Sequence, residues 1–339
     1  NSPLFFAYFF FFFFLNYGII VTVNTKEVIF LKKIYLAGGC FWGMQGYFNK
    51  VLGVVNTTVG YANGITSNTS YMELKKTDHV ETLEIEYNSN LVRLEELLLR
   101  FFKLIDPLSI NKQGGDIGRQ YRTGIYYIDL ADVPIINKVY DFIEKKIGSK
   151  LAVENEPLRD YILAEDYHQN YLDNNPDGYC HINLSTVSDP IFDKIYTKPE
   201  LKELRQKLSQ LEFDISQNSA TERPFTSEYE KFDEEGIYVN VVTGEPLFMS
   251  YDKFDAGCGW PSFTRPILTE TVNFYEDNSH GMNRIEVKSA KDLAHLGHVF
   301  TDGPKDKGSL RYCINGSILR FIPKNKLEEY GYGDYIVLF

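Results

Sequence analysis

The sequence predicts two domains in series, an α+β domain followed by a mostly β domain. Three observations carry that prediction. The chain has 339 residues, too many for one ordinary core and enough for two. Between residues 34 and 147, runs with strand alternation trade places with runs of helical spacing. From Gly236 onward, short apolar runs separated by turn residues dominate.

The elements follow in order. Ile34 to Ala37 is a short apolar strand, and Gly38-Gly39 ends it. Cys40 opens the segment FWGMQGYFNKVL, which reads as a helix. Val80 to Tyr87 alternates, with Leu83, Ile85 and Tyr87 on one face and Thr82, Glu84 and Glu86 on the other. Leu91 to Ile105 places apolar residues at 91, 94, 97, 98, 101, 102 and 105, a helical spacing that stops at Asp106-Pro107. Tyr121 to Ile128 reads as a strand and Pro134 to Ile147 as a helix. Composition changes after Cys180, so the first domain is expected over 32–185 and a linker over 186–198. The second domain, 199–339, begins with the polar amphipathic helix LKELRQKLSQL. Strand runs GIYVNVVTGEPLF, NRIEVK and LRYCINGSILRFIP follow it.

Hydrophobic residues make up 44% and charged residues 24%, which is the balance of a globular chain. The formal net charge of −11 argues against a nucleic-acid surface, since phosphate binding needs a basic field. Residues 1–31 stand apart. Leu4 to Val23 is nearly unbroken apolar sequence, long enough for a span of about 20 residues. Lys26, Lys32 and Lys33 follow it, so a span would leave both domains on the cytoplasmic side, tethered by residues 4–23. The alternative expectation is a non-native extension or a fragment, because no Met precedes Met44.

Four cysteines, Cys40, Cys180, Cys258 and Cys313, are too sparse for a disulfide scaffold, and no CxxC pair exists to build a structural zinc site. They are inert buried thiols or redox groups. Cys40 falls at a strand–Gly-Gly–helix junction, where unpaired N–H groups and the helix dipole favour a thiolate. Phe41 and Trp42 follow it and could line a pocket for a methyl or thioether group, or could simply bury the cysteine in an aromatic core. Glu81 has the parity of Leu83 and Ile85, which would desolvate it and raise its pKa toward that of a neutral-pH general acid. The plainer alternative is a strand-end carboxylate pointing to water.

The run GGCFWG, then GYANG at 60–64, Tyr71, His79 to Glu81, GGDIGRQYRTGIYY at 114–127 and NPDGYCHINL around Cys180 resemble the A-type peptide methionine sulfoxide reductases. The resemblance covers residues 32–185 and implies a ferredoxin-like α/β sandwich. It implies Cys40 as nucleophile, Phe41 and Trp42 as the methyl pocket, and Glu81 as proton donor to the sulfoxide oxygen. Tyr71, Asp116 and Tyr121 would help to bind that oxygen, and Cys180 would be the resolving thiol. Two positions depart from the family pattern: Gln45, where an acidic residue is common, and Asp78, where Gly usually precedes the His.

In the second domain Arg311, Cys313 and Asn315 alternate and share one strand face, so a cation lies two residues from a thiol. His295 and His298 lie in HLGHVF, with acid–base work, metal binding or plain surface polarity as their readings. Cys258 sits in GCGWPSF beside Trp260. The runs GEPLF, FDAGCGWPSF, SHGMNRIEV, AHLGHVFTDGP and LRYCINGSILRFIP resemble the B-type methionine sulfoxide reductases. The resemblance implies Cys313 as nucleophile, Cys258 as resolver and Trp260 as methyl pocket. His295, His298, Asp302, Arg311 and Asn315 would surround the sulfoxide. Many relatives carry zinc on two CxxC pairs, but LFMSYD and DGPKDKG stand in those places here, so no metal is expected.

Together the resemblances imply one reaction in two pockets. Methionine sulfoxide in proteins and peptides is chiral at sulfur, with the S epimer expected in the first domain and the R epimer in the second. The cysteine would become a sulfenic acid, then an intramolecular disulfide, and thioredoxin would restore it without any bound cofactor. The expected state is a monomer with no nucleic-acid partner. A redox sensor that keeps the folds without turnover would lack a nucleophile or an acid, and none is missing. A thiol–disulfide oxidoreductase would want a CxxC pair.

Overall fold

The computed structural model describes residues 31–178 and 180–339, with backbone alone at 12–14, 20–22 and 280. Within the apolar run 4–23, Phe12–Phe14 and Ile20–Thr22 pair as a short antiparallel ribbon. The rest of that run, on which a membrane span was expected, lies outside the described residues. Among the described residues no helix is long and apolar enough to cross a membrane. These residues form two compact units, 31–195 with 331–339, and 196–330.

The first unit is built on β1 (Leu31–Gly38), α1 (Phe41–Phe48), β2 (Val54–Ala62), β3 (Val80–Asn88), α2 (Leu94–Leu104) and β4 (Thr123–Tyr127). Helix α3 (Val133–Ile147) and strands β5 (Glu154–Pro157) and β6 (Tyr161–Leu163) complete it. The sheet order is β6-β2-β3-β1-β4-β5. Its inner four strands, β2-β3-β1-β4, pair antiparallel, which is the βαββαβ arrangement of a ferredoxin-like sandwich. Only β4 and β5 run parallel. Ile34, Leu36, Leu83 and Ile85 are fully buried, as are Leu97, Leu98 and Phe101 of α2. Tyr35, Ala37, Ala62, Val80 and Tyr126 form a second apolar cluster, covered by Leu158 and Tyr161.

Helix α1 is shorter than its sequence pattern suggests and ends at Phe48, with Asn49 as its C-cap. Asp78 adopts a left-handed conformation (φ 56°, ψ 21°). That geometry accounts for the glycine usual at this position, and Asp tolerates it better than most residues. Its carboxylate also takes a two-pronged bond from Arg119, at 2.6 and 2.8 Å. Gln45 is buried, donating to Thr57 and accepting the Asn170 N–H at 2.7 Å. Its amide donates and accepts at once, which a carboxylate could not do.

The second unit opens with α4 (Leu201–Lys207) and α5 (Gln210–Asn218). The sequence suggested one continuous helix here. Ser209 breaks it, because its hydroxyl and the Glu212 carboxylate form a capping box that starts a new helix. Strands β7 (Gly236–Asn240), β8 (Pro246–Met249) and β15 (Leu319–Pro323) form a three-stranded sheet in the order β8-β7-β15. A six-stranded antiparallel sheet holds β9 (Lys253–Phe254), β10 (Ser262–Phe263), β11 (Val272–Asp277), β12 (Arg284–Ser289), β13 (His295–Phe300) and β14 (Arg311–Ile314). Its order is β9-β10-β14-β13-β12-β11. One apolar cluster draws Tyr238 and Phe248 from the first of these sheets and Phe263, Val287, Leu296 and Ile314 from the second.

Residues 331–339, expected with the second domain, lie with the first unit. Tyr335 packs on Phe192 with ring centroids 4.5 Å apart, and the Lys194 ammonium sits 4.0 Å over the Tyr332 ring. Ile191 and Phe192, expected in the linker, are buried there too.

Candidate active sites

The first site forms where β1 hands over to α1. Leu36 lies opposite Leu83, so continuing the register brings the end of β1 alongside Glu81. Cys40 is the N-cap of α1, in extended backbone geometry (φ −62°, ψ 120°). The next residue, Phe41, donates its N–H to Glu81 Oε2 at 3.1 Å. Burial pushes the Glu81 carboxyl up to about 8; Asp116 adds to this and the Phe41 N–H opposes it. The alternative of a solvated strand-end carboxylate does not apply, since Glu81 is 2% exposed.

The electrostatics of Cys40 differ from the sequence expectation. The N–H groups of Trp42 and Gly43 do favour its anion, as a helix N-terminus should. Burial nevertheless dominates, and with the Glu81 and Asp116 carboxylates it holds the thiol well above its ordinary value. That direction keeps Cys40 a thiol rather than a thiolate at neutral pH.

Aromatic rings surround this pair. Phe41 is buried against Tyr61 and His168, at 5.9 and 5.2 Å between centroids. Trp42 stacks on Tyr171 at 3.8 Å. Burial first, and Glu81 next, raise the hydroxyls of both Tyr71 and Tyr121 above their ordinary value. Asp116, in a two-residue hairpin strand, lies 3.7 Å from His181 and acts electrostatically on Cys40 and Glu81. Cys180 approaches the first turn of α1: a Cβ built on Gly43 would fall 2.9 Å from its sulfur. Thus Cys40, Phe41, Trp42, Tyr71, Glu81, Asp116, Tyr121 and Cys180 converge on one end of α1.

The second site is a row across a sheet. Cys313 on β14 lies opposite Ser262 on one side and His298 on the other, and His298 lies opposite Glu286. Directly opposed residues share a face, so these side chains stand side by side. The sulfurs of Cys258 and Cys313 are 3.8 Å apart. Gly297 permits the tight pairing of β13 and β14, since a Cβ there would lie 2.0 Å from the Cys313 carbonyl oxygen. Arg311 is held by Asp302 through bonds of 2.8 and 2.9 Å and lies over the Phe300 ring. His295 Nδ1 pairs with Glu286 at 2.6 Å, and His298 Nε2 with Asp277 at 2.8 Å.

One expectation needs correction. Arg311 was expected to make Cys313 the thiolate. Burial instead pushes Cys313 up to about 12, with Cys258 adding to the rise and Arg311 opposing it. Burial also raises Cys258, but Ser262, the Trp260 main chain, Cys313 and Arg311 together outweigh it and leave that thiol below its ordinary value. Of the two thiols Cys258 is therefore the more acidic. Asn315 was expected beside the sulfoxide. It is 3% exposed, donating to the Leu296 carbonyl at 3.1 Å and accepting the Glu222 N–H at 3.1 Å, so it shapes the turn after Cys313.

Sequence reasoning missed His168, Tyr171 and His181 in the first site, and Glu222, Ser262, Asp277 and Glu286 in the second. The aromatic run DYHQNY at 166–171 was the available signal for the first two. Glu222 gave none: its carboxylate binds the N–H groups of Gly316 and Ser317 from 94 and 95 residues away. Among the described residues no group of three or more His, Cys, Asp or Glu could hold a metal ion.

Two family models match the chain. The peptide methionine sulfoxide reductase family model matches residues 32–200, and the SelR domain model matches 208–323. Among solved structures, Mxr1 from Saccharomyces cerevisiae in reduced form is 40% identical over 44% of this chain and 88% of its own, with a TM-score of 0.43. Methionine sulfoxide reductase A of Corynebacterium diphtheriae is 33% identical over 44% of this chain and 78% of its own, with a TM-score of 0.42. Mxr1 in complex with Trx2 is 30% identical over 42% of this chain and 84% of its own, with a TM-score of 0.31. The chain therefore belongs to the peptide methionine sulfoxide reductases, as an A-type domain joined to a B-type domain.

Proposed function

We propose that the first domain reduces the S epimer of methionine sulfoxide and the second the R epimer, each through its own pair of cysteines. The observation that carries this reading is the pairing of a buried acid with a buried cysteine at one helix end. Glu81 Oε2 is taken by the Phe41 N–H, which leaves Oε1 to hold the acid proton. A carboxyl raised to about 8 still holds that proton at neutral pH.

The chemistry balances as follows. Glu81 gives its proton to the sulfoxide oxygen while the Cys40 sulfur attacks the sulfoxide sulfur, and the thiol proton restores Glu81. Methionine leaves and the hydroxyl remains on Cys40 as a sulfenic acid. Cys180 attacks that sulfur, expelling water and forming a disulfide. An external dithiol then reduces the disulfide by exchange. Thioredoxin fits this role, as the Trx2 complex of the yeast relative suggests. In the second domain Cys313 attacks and Cys258 resolves. Their sulfurs, 3.8 Å apart, need only a small movement to bond. Trp42 and Trp260 receive the methyl group. Tyr71, Asp116 and Tyr121 in one pocket, and His295, His298 and Arg311 in the other, attend the oxygen. Asp302 holds Arg311 in place.

No step needs a bound cofactor or metal. Each site draws on its own domain, so a monomer suffices. The need for a dithiol supply suits the cytoplasm. The test is turnover of each epimer of a sulfoxide peptide with dithiothreitol, then with thioredoxin and its reductase. Reduction of both epimers is expected. A chain that reduces neither, while folded, would refute the reading.

A further inference from the structure

Trp42 is fixed from two directions. Its face stacks on Tyr171, with planes 16° apart. Its indole Nε1–H donates to Nδ1 of His168 at 3.1 Å. His168 is 2% exposed and packed among Phe41, Tyr71 and Tyr167, at 5.2, 4.8 and 4.2 Å between centroids. An Nδ1 that accepts requires a neutral ring with its proton on Nε2. An imidazolium would aim a second N–H at the indole N–H and lose the bond. The facing groups are few: Glu165, whose Oε2 lies 4.0 Å from Nε2, and the hydroxyl-bearing rings of Tyr71 and Tyr167. Burial lowers the His168 pKa and outweighs the opposing pull of Glu165.

We propose that His168 is a positioning residue of the first site, a neutral acceptor that sets the plane of Trp42 in the methyl pocket and releases it when protonated. Binding of the S epimer therefore weakens in mild acid. The inference rests on the reading of the first site given above. The second site carries an internal contrast. There the Trp260 indole donates to the main-chain carbonyl of Glu222 at 3.3 Å, an acceptor that does not titrate.

The test uses the full chain with His168→Phe, which keeps a ring but no acceptor, and His168→Gln, whose amide oxygen accepts without titrating. KM and kcat for each epimer are measured from pH 5 to 8. Trp42 emission is followed over the same range in a Trp260→Phe background. Losing one buried hydrogen bond predicts that His168→Phe raises the S-epimer KM about five- to thirtyfold at pH 7. The R-epimer constants should stay within about twofold on the same scale. The wild type should show an S-epimer KM rising below pH 6.5 and a parallel change in Trp42 emission, and His168→Gln should lack both. An unchanged S-epimer KM in His168→Phe, or an acid limb that persists in His168→Gln, would overturn the proposal. Should the wild type fail to reduce the S epimer, the functional reading falls, while the emission titration still decides whether His168 holds the indole.

Discussion

The two sites solve one chemical problem with different architecture. The first is assembled from distant pieces: a helix N-terminus, a buried strand position, a hairpin and the segment carrying Cys180. The second lies almost wholly on one sheet, where register alone places Ser262, Cys313, His298 and Glu286 in a row. The charge is arranged differently as well. In the first site the raised group is a buried carboxyl apart from the thiol, while in the second two sulfurs lie 3.8 Å apart beside an arginine held by Asp302. A helix-end site gains a desolvated carboxyl at the cost of burying its cysteine. A sheet-row site keeps its thiols partly accessible and closely coupled.

The contrast can be broken most forcefully at Glu81. Glu81→Gln should lower kcat for the S epimer by roughly ten- to ten-thousand-fold, the usual range for general acid catalysis, with R-epimer kcat unchanged. Steady-state assays with resolved epimers measure it. A fall in both activities would mean that the sites are not separate.

The same residue predicts a pH effect on stability. Its folded pKa, about 8, lies above the unfolded value, so the folded state holds the proton longer. Its contribution is fully present below the unfolded pKa of about 4.3 and is lost as pH rises through about 8. Stability of the first unit should therefore fall across that window by up to a few kcal/mol, and Glu81→Gln should flatten the slope. Calorimetry that resolves the two units would show this. A slope unchanged by the substitution would assign it to other groups.

Gly43→Ala sharpens the role of Cys180. Its Cβ would meet that sulfur at 2.9 Å, so disulfide formation should slow by about ten- to a hundredfold, the scale of an ångström misplacement. Release of the first methionine should slow less. Rapid-quench single turnover separates the two steps, and equal slowing would move the defect to the first. The smallest effect is expected at Asn315. Asn315→Ala strips two main-chain partners from the turn after Cys313 and should destabilise the second unit by about 1–3 kcal/mol. A large rise in the R-epimer KM without loss of stability would place Asn315 at the substrate instead.

Much of this was legible in the sequence because it is local. Alternation along Val80 to Tyr87 put Glu81 on the buried face, and Gly38-Gly39 before Cys40 marked the helix start. The charge states were less legible. A helix N-terminus argues for a thiolate at Cys40, yet burial and two carboxylates reverse it, and burial is a property of the whole fold. Spacing on one strand put Arg311 beside Cys313 but could not show Cys258 and Ser262 facing it from β10 and the loop before it. Nor could it show that Asn315, in phase with Cys313, turns inward to the main chain. The break at Ser209 was written in the capping box but masked by the continuous amphipathic pattern. The packing of 331–339 on the first unit depends on contacts with Phe192 and Lys194 that no local pattern announces.

The central claim is two independent sites divided by the handedness at sulfur. Once a methyl group is held by Trp42 or Trp260, only one arrangement of oxygen and main chain brings the oxygen to its donor. The most direct measurement is epimer-resolved turnover of Cys40→Ser and Cys313→Ser in the full chain. The account predicts that Cys40→Ser loses S-epimer reduction and keeps the R activity, and that Cys313→Ser does the reverse. Loss of both activities in either folded single variant, or the opposite assignment of epimers, would contradict it.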